Sequence, residues 1–201
     1  LILDSSFIIL HFLFVPLQTE MTSLEYIQLK AFARQDGALL SLWWIGGFAC
    51  YIQGMSHPTL GMVAVLLIVS SPFFVANRLR HFRDKVREGV ISFSRGYTYT
   101  VMTFFYGGVL LAAACYVYFA FIDQGFLMGK LSTIINSEEG RKVMELYGLG
   151  DQMNESMKEL TSMRPIDYAL NLLAVNISLG FFFGLPIAVL MQRQTAKAGN
   201  Q

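Results

Sequence analysis

The sequence predicts an all-α integral membrane protein with four transmembrane helices and a helical extracytoplasmic insert between the third and the fourth. Of the 201 residues, 54% are apolar and only 14% are charged, whereas charged residues make up about 25% of soluble domains. Two long stretches, Gly37–Asn77 and Gly96–Ile122, contain no Asp, Glu, Lys or Arg. The segment between them holds six basic side chains: Arg78, Arg80, Arg83, Lys85, Arg87 and Arg95. This alternation is typical of membrane helices joined by a short charged loop.

The basic segment predicts how the chain is threaded through the membrane. Lys and Arg close to helix ends are difficult to translocate, so they keep their loop on the cytoplasmic side. With this loop inside, four spans put both termini in the cytoplasm and residues 123–166 outside. Ten of the fifteen Lys and Arg residues then lie inside. We therefore predict a multi-pass protein of the cell inner membrane. Anionic lipid headgroups and a cytoplasmic protein are alternative ligands for the same cations.

The N-terminal residues divide into two parts. Residues 1–20 contain an apolar run, Phe7–Leu17, that is shorter than the roughly 20 residues a transmembrane helix needs. We interpret them as an upstream or non-native leader. Residues 21–36 carry apolar residues at helical spacing among charged ones, which predicts a cytoplasmic interfacial helix. The dipeptide Asp36-Gly37 is expected to end it.

The membrane domain is predicted over residues 37–195, with a cytoplasmic tail at 196–201. Its four spans are expected at Gly37–Gln53, Thr59–Asn77, Tyr97–Ile122 and Tyr168–Gln192. Tyrosines stand near both ends of the third span, as they do in the aromatic belts of membrane proteins.

The polar stretch 123–166 is predicted to be helical. Ser137 is suited to capping a helix over Glu138–Tyr147, and Gly148 is suited to ending it. Asp151 is expected to cap a second helix.

One face of that second insert helix carries Met153, Met157 and Leu160. An apolar stripe at this spacing favours a packing face. An exported methionine cluster that binds Cu(I) through its thioethers is the alternative.

The sequence contains no recognisable catalytic motif. It has no phosphate-binding P-loop, no dinucleotide-binding glycine fingerprint, no HExxH zinc motif and no GxSxG nucleophile motif. Its three histidines are isolated from other metal-binding side chains. We therefore predict no catalytic residue, no cofactor and no metal. Nucleic-acid binding is not expected from basic residues held at a membrane surface.

Polar and small residues inside the spans are the remaining candidates. Asn171 and Asn176 lie in the fourth span, where we favour hydrogen bonds between helices over a substrate site. Gly180 and Gly184 form a GxxxG pattern, which favours close packing within the bundle over dimerisation. No ionisable residue is expected deep in a span, and Asp36 is placed at a helix end within reach of water.

Four strings of the sequence resemble a known family: Leu29–Gly37, Arg87–Tyr97, Phe104–Gly108 and Tyr116–Gly125. They are similar to small four-span inner-membrane proteins of Gram-negative bacteria that are grouped as a domain of unknown function. The resemblance covers about residues 21–195. It implies a fold and a membrane location, and it supplies no catalytic residues.

Three classes of function are compatible with these observations. The first, which we favour, is a non-enzymatic membrane component that assembles with another envelope protein or with itself. The second is a small transporter or channel for a neutral or lipidic solute, with a polar path near the two asparagines. The third is a membrane enzyme acting on a lipid-linked substrate. The lipid bilayer is an expected partner in all three.

Overall fold

The computed structural model describes residues 21–193, which form seven α-helices. Four are long: α1 (Ser23–Gly54), α2 (Pro58–Val86), α3 (Phe93–Val117) and α7 (Pro165–Met191). A π-helical turn, Tyr118–Ile122, extends α3. Three short helices form the insert between α3 and α7: α4 (Phe126–Ile135), α5 (Glu138–Tyr147) and α6 (Gly150–Ser162). The all-helical fold is confirmed, while the predictions for residues 1–20 and 196–201 lie outside the described residues.

Three of the long helices are long and apolar enough to cross a membrane. The mean hydropathy of their most apolar window is 2.2 for α2, 1.9 for α3 with its π turn, and 2.1 for α7. By length and composition, the chain thus has the character of a membrane protein. The long helix α1 is not one of the three, so a fourth crossing remains a prediction.

The central helix is α3, since both α1 and α7 pack along it while α2 packs mainly on α1. Every residue of α3 from Gly96 to Phe104 is buried. Within this stretch Thr100 donates its hydroxyl to the Gly96 carbonyl at 2.9 Å. Thr103 donates to the Tyr99 carbonyl at 2.8 Å. These two hydroxyls are therefore satisfied by their own helix, as buried polar groups require.

The pair α1 and α2 is antiparallel and in tight contact. At one end, a Cβ atom added to Gly54 would lie only 2.5 Å from the backbone nitrogen of Gly61, so the approach depends on glycine. Nearer the middle, the indole nitrogen of Trp44 donates to the Ser71 hydroxyl at 2.7 Å. The two helices are thus fixed in register by both shape and a buried hydrogen bond.

The GxxxG pattern lies where α7 packs against α3. A Cβ atom on Gly180 would come within 2.8 Å of the Phe104 Cβ, and one on Gly184 within 2.9 Å of the Tyr97 ring. Both glycines are buried. Large residues of α3 therefore occupy the space that the two glycines leave on α7.

The helix α1 runs without interruption through Asp36 and Gly37, so the predicted end of an interfacial helix at this dipeptide is wrong. Gly37 serves packing instead. A Cβ atom there would lie 2.7 Å from the Tyr106 Cβ and 2.9 Å from the Thr103 carbonyl oxygen of α3. A glycine that permits close approach looks the same in sequence as one that ends a helix.

The basic segment is a helical extension rather than the predicted loop. Residues 78–85 belong to α2, which continues to Val86, and Arg95 belongs to α3. Only residues 87–92 connect the two helices. Arg, Lys and Leu have high helix propensity, and the first helix breaker after the basic residues begin is Gly89. The helix propensity of these residues therefore favours continuation of α2 beyond Asn77, up to Val86.

The insert follows the predicted capping pattern in part. The Ser137 hydroxyl accepts from the Gly140 backbone nitrogen at 3.0 Å, and Gly148 ends α5 with a φ of 64°. Both features of the α5 prediction are confirmed. Asp151 lies in the first turn of α6, where Leu149 occupies the N-cap position, so the prediction that Asp151 caps α6 is wrong.

The end of α7 is held against the α2–α3 connection. Ile91, which is fully buried, and Arg193 exchange two backbone hydrogen bonds of 2.9 Å. A guanidinium nitrogen of Arg83 also donates to the Met191 carbonyl at 3.0 Å. The C-terminal end of α7 is thereby tied to the same end of the molecule as the basic residues.

Candidate functional site

A buried ionic cluster joins three of the long helices. Asp36 of α1 is only 1% exposed. Arg78 of α2 contacts its Oδ1 through Nε at 2.6 Å and through Nη2 at 2.5 Å. The hydroxyl of Tyr99, on α3, donates to Oδ2. Both carboxylate oxygens are thus occupied, which is the condition under which a buried charge is tolerated.

Aromatic rings cover one side of this cluster. The Phe82 ring stacks on the Tyr99 ring with centroids 5.1 Å apart. Phe32 packs against Phe82 at 5.2 Å. These contacts exclude water from the Tyr99 side, so the attraction between Asp36 and Arg78 is screened less than it would be at a surface.

The expectation that water reaches Asp36 is therefore wrong. The sequence did contain a signal for its burial. Asp36 stands three residues after Ala33 and four before Leu40, both fully buried on the core-facing side of α1. This spacing places Asp36 on the apolar stripe, and an acidic residue on such a stripe requires a partner on another helix.

A second ionic cluster lies near the start of α1. The carboxylate of Glu25 accepts from Nη2 of Arg87 at 2.6 Å and from Nη2 of Arg95 at 2.9 Å. Glu25 also closes a capping box with Thr22, whose backbone nitrogen donates to it at 3.1 Å. Two guanidinium groups from the α2–α3 connection and α3 thus meet one carboxylate of α1.

The Arg87 hydrogen bond is the main cause that lowers the pKa of Glu25 from 4.5 to about 2. Because the pKa of the folded state is lowered, the stability contributed by this carboxylate is fully present above about pH 4.5. It is lost as the pH falls toward 2. At neutral pH, Glu25 is ionised and the cluster carries one net positive charge.

The six basic residues of the predicted loop thus have different environments. Arg78, Arg87 and Arg95 belong to the two ionic clusters. Arg83 lies 2.7 Å from Asp84 and contacts the end of α7. Arg80 keeps a 66% exposed side chain, and Lys85 is also exposed.

The two asparagines of the fourth predicted span do not meet. Asn171 is exposed, and its amide lies 3.8 Å from the sulfur of Met163. Asn176 is buried and donates to the Leu172 carbonyl of its own helix at 2.8 Å. A Cβ atom added to Gly108 of α3 would lie 3.0 Å from the Asn176 Cβ. Neither amide makes the predicted hydrogen bond to another helix, so that prediction is wrong, and the pair forms no common site.

The carboxylates at the two ends of the insert act as caps. Asp123 accepts from the backbone nitrogens of Gly125 and Leu127, each at 3.0 Å. Asp167 accepts from the Arg164 backbone at 2.9 Å and from its guanidinium. Within residues 21–193, no group of three or more His, Cys, Asp or Glu side chains is arranged to hold a metal.

An open groove of about 840 Å³ lies between α4 and α6. Met128 and Ser132 line it from α4, and Asn136 lines it from the position that follows α4. Met157 and Lys158 line it from α6. This groove could not be predicted from the sequence, because the relative placement of α4 and α6 depends on the turns around α5.

These features define a helical membrane-type protein in which two ionic clusters join three of the four long helices at one end. A family model described as "Protein of unknown function (DUF4199)" matches residues 35–193. The chain therefore belongs to this family, which confirms the resemblance to a domain of unknown function. No curated protein and no solved structure matches the chain.

Proposed function

We propose that the protein is a non-enzymatic component of the cell inner membrane that assembles with, or supports, another membrane protein. One observation carries the proposal: polar side chains between the long helices pair with one another. Asp36 pairs with Arg78 and Tyr99, and Trp44 with Ser71. Such pairs hold the helices together. Because they are occupied with one another, we place the binding site for a partner at the groove between α4 and α6.

In this proposal α1 is a fourth span, antiparallel to α2, with both termini in the cytoplasm and the insert outside. The helix has 32 residues, about 48 Å at 1.5 Å per residue. The hydrocarbon core is only about 30 Å thick. The first part of α1 then projects into the cytoplasm, where its Glu25 meets Arg87 and Arg95.

The threading makes a prediction for reporter fusions. A reporter that is active only after export should be active when fused at Gly148, at the end of α5. The same reporter should be inactive when fused at Gly89, in the connection between α2 and α3. Both glycines have positive φ angles and lie in turns, so the two fusions are matched in local structure. The reverse pattern of activity would show that the orientation is wrong.

The groove between α4 and α6 offers small, polar and methionine side chains to a partner. Flexible methionines adapt to the shape of a bound segment, and Ser132, Asn136 and Lys158 offer hydrogen-bonding groups. We propose that it receives an extracytoplasmic segment of the partner membrane protein.

Capture from mild detergent tests the docking. A partner should co-purify with the parent protein and be lost when Ser132→Trp fills the groove. Thr133→Trp is the matched control, because Thr133 is the neighbouring residue, is exposed, and does not line the groove. Equal recovery of the partner with both variants would contradict docking at the groove. Failure of any membrane protein to co-purify with the parent would contradict the proposed function.

A further inference from the structure

The buried polar groups without a hydrogen-bond partner gather in one small region of the described chain. They are Nε of Arg87, the hydroxyl of Ser94, Nε of Arg95 and the hydroxyl of Thr98. All lie within a dozen residues of each other, in the α2–α3 connection and the first turns of α3. Because native proteins satisfy nearly all their buried polar groups, such a group calls for a ligand or water.

The two arginines that contribute these groups also share Glu25. Each of them reaches the carboxylate through a single Nη2 nitrogen, so each guanidinium keeps its Nε–H unused. A guanidinium binds most strongly through two parallel N–H donors, and neither makes that contact here. Two guanidinium groups against one carboxylate also leave one positive charge in excess.

We propose that Arg87 and Arg95 form a binding site for a phosphate group, at which the carboxylate of Glu25 is the competing internal anion. A phosphate offers enough oxygens to accept from Nε and Nη2 of both arginines, which one carboxylate does not do here.

The space at the site determines how the phosphate enters. The cavity lined by Glu25, Arg87 and Arg95 has a volume of about 10 Å³, about what a single water molecule needs. A phosphate therefore takes the place of the carboxylate. The three side chains are 21–25% exposed, which leaves the site open on one side.

The position of the site suggests two sources for the phosphate. Arg95 directly precedes the uncharged stretch that starts at Gly96, so in the proposed threading it lies at the depth of lipid headgroups. An anionic phospholipid of the cytoplasmic leaflet and a free phosphate share the required chemistry. The inference rests on the membrane embedding of the proposed function, but not on the docking of a partner at the outer groove.

Binding measurements on the purified full chain in neutral detergent test the site. The probes are inorganic phosphate and a short-chain phosphatidylglycerol, with phosphatidylcholine as the zwitterionic reference. Arg95→Gln should weaken binding of the anionic probe about tenfold, equivalent to about 1.4 kcal/mol. Glu25→Gln removes the competing charge and should tighten binding by a similar factor. This gain cannot result from misfolding.

Arg80→Gln is the matched control, since it removes the same charge from an exposed side chain outside the cluster. Its affinity should stay within about twofold of the parent. Equal losses for Arg80→Gln and Arg95→Gln would indicate diffuse surface electrostatics and overturn the site, as would an unchanged affinity of Glu25→Gln. Competition by inorganic phosphate identifies a free anion as a ligand, while binding of the lipid alone identifies a headgroup. The Gly148 and Gly89 fusions report independently on the membrane embedding.

Discussion

Replacing Asp36 with alanine is expected to destabilise the protein by about 3 kcal/mol or more, because it leaves the Arg78 guanidinium without its partner between the helices. The Tyr99 hydroxyl loses its acceptor in the same variant. Breaking one side of a buried ion pair typically costs about 3–5 kcal/mol, and the 27% exposure of the Arg78 side chain favours the lower end. Thermal unfolding of the purified protein in detergent measures the effect.

Two further variants distinguish the loss of the ion pair from nonspecific destabilisation by the substitution. The double replacement Asp36→Leu with Arg78→Met should recover much of the lost stability, since apolar residues of similar volume often replace a buried pair at little cost. Asp84→Ala removes an acidic residue that is 41% exposed and contacts Arg83 and Arg80. It should leave the melting temperature close to that of the parent, because exposed ion pairs contribute little to stability. Equal melting temperatures of Asp36→Ala and Asp84→Ala would show that the buried cluster contributes little to the stability of the helix contacts.

Gly37→Leu is expected to prevent the close approach of α1 to α3, at a cost of about 3 kcal/mol or more. Its Cβ atom would lie 2.7 Å from the Tyr106 Cβ, 2.9 Å from the Thr103 carbonyl oxygen and 3.0 Å from the Gly107 nitrogen. Two of these are backbone atoms, which cannot move aside by changing a rotamer. The measurement is the amount of protein that accumulates in the membrane, together with its melting temperature.

Gly46→Leu is the control for this variant, because it makes the same change on the same helix. A Cβ atom at Gly46 meets no heavy atom within 4 Å. Both replacements gain the same helix propensity, about 1 kcal/mol, so their difference isolates the contact with α3. Gly46→Leu should accumulate like the parent, and equal behaviour of the two variants would refute the packing role of Gly37.

The features that depend on neighbouring residues could be predicted from the sequence. Long uncharged stretches identified α2, α3 and α7 as apolar helices, since length and composition suffice for that property. The ends of α5 followed from Ser137 and Gly148, because a cap is formed within a few residues of chain. The family resemblance was also contained in short local strings.

The features that depend on a partner distant in the chain became visible in the tertiary structure. The charge of Asp36 suggested a helix end in water, but Arg78, 42 residues away, allows it to be buried inside a continuous helix. In the sequence, Gly37 resembled a residue that ends a helix. In the structure, it leaves the space that Tyr106 of α3 occupies. The basic residues suggested a loop, while three of them form ion pairs with Glu25 and Asp36 at helix contacts. The structural role of a charged residue or a glycine cannot be deduced from its type alone. The free energy of placing it inside the fold depends on which residue of another helix packs against it.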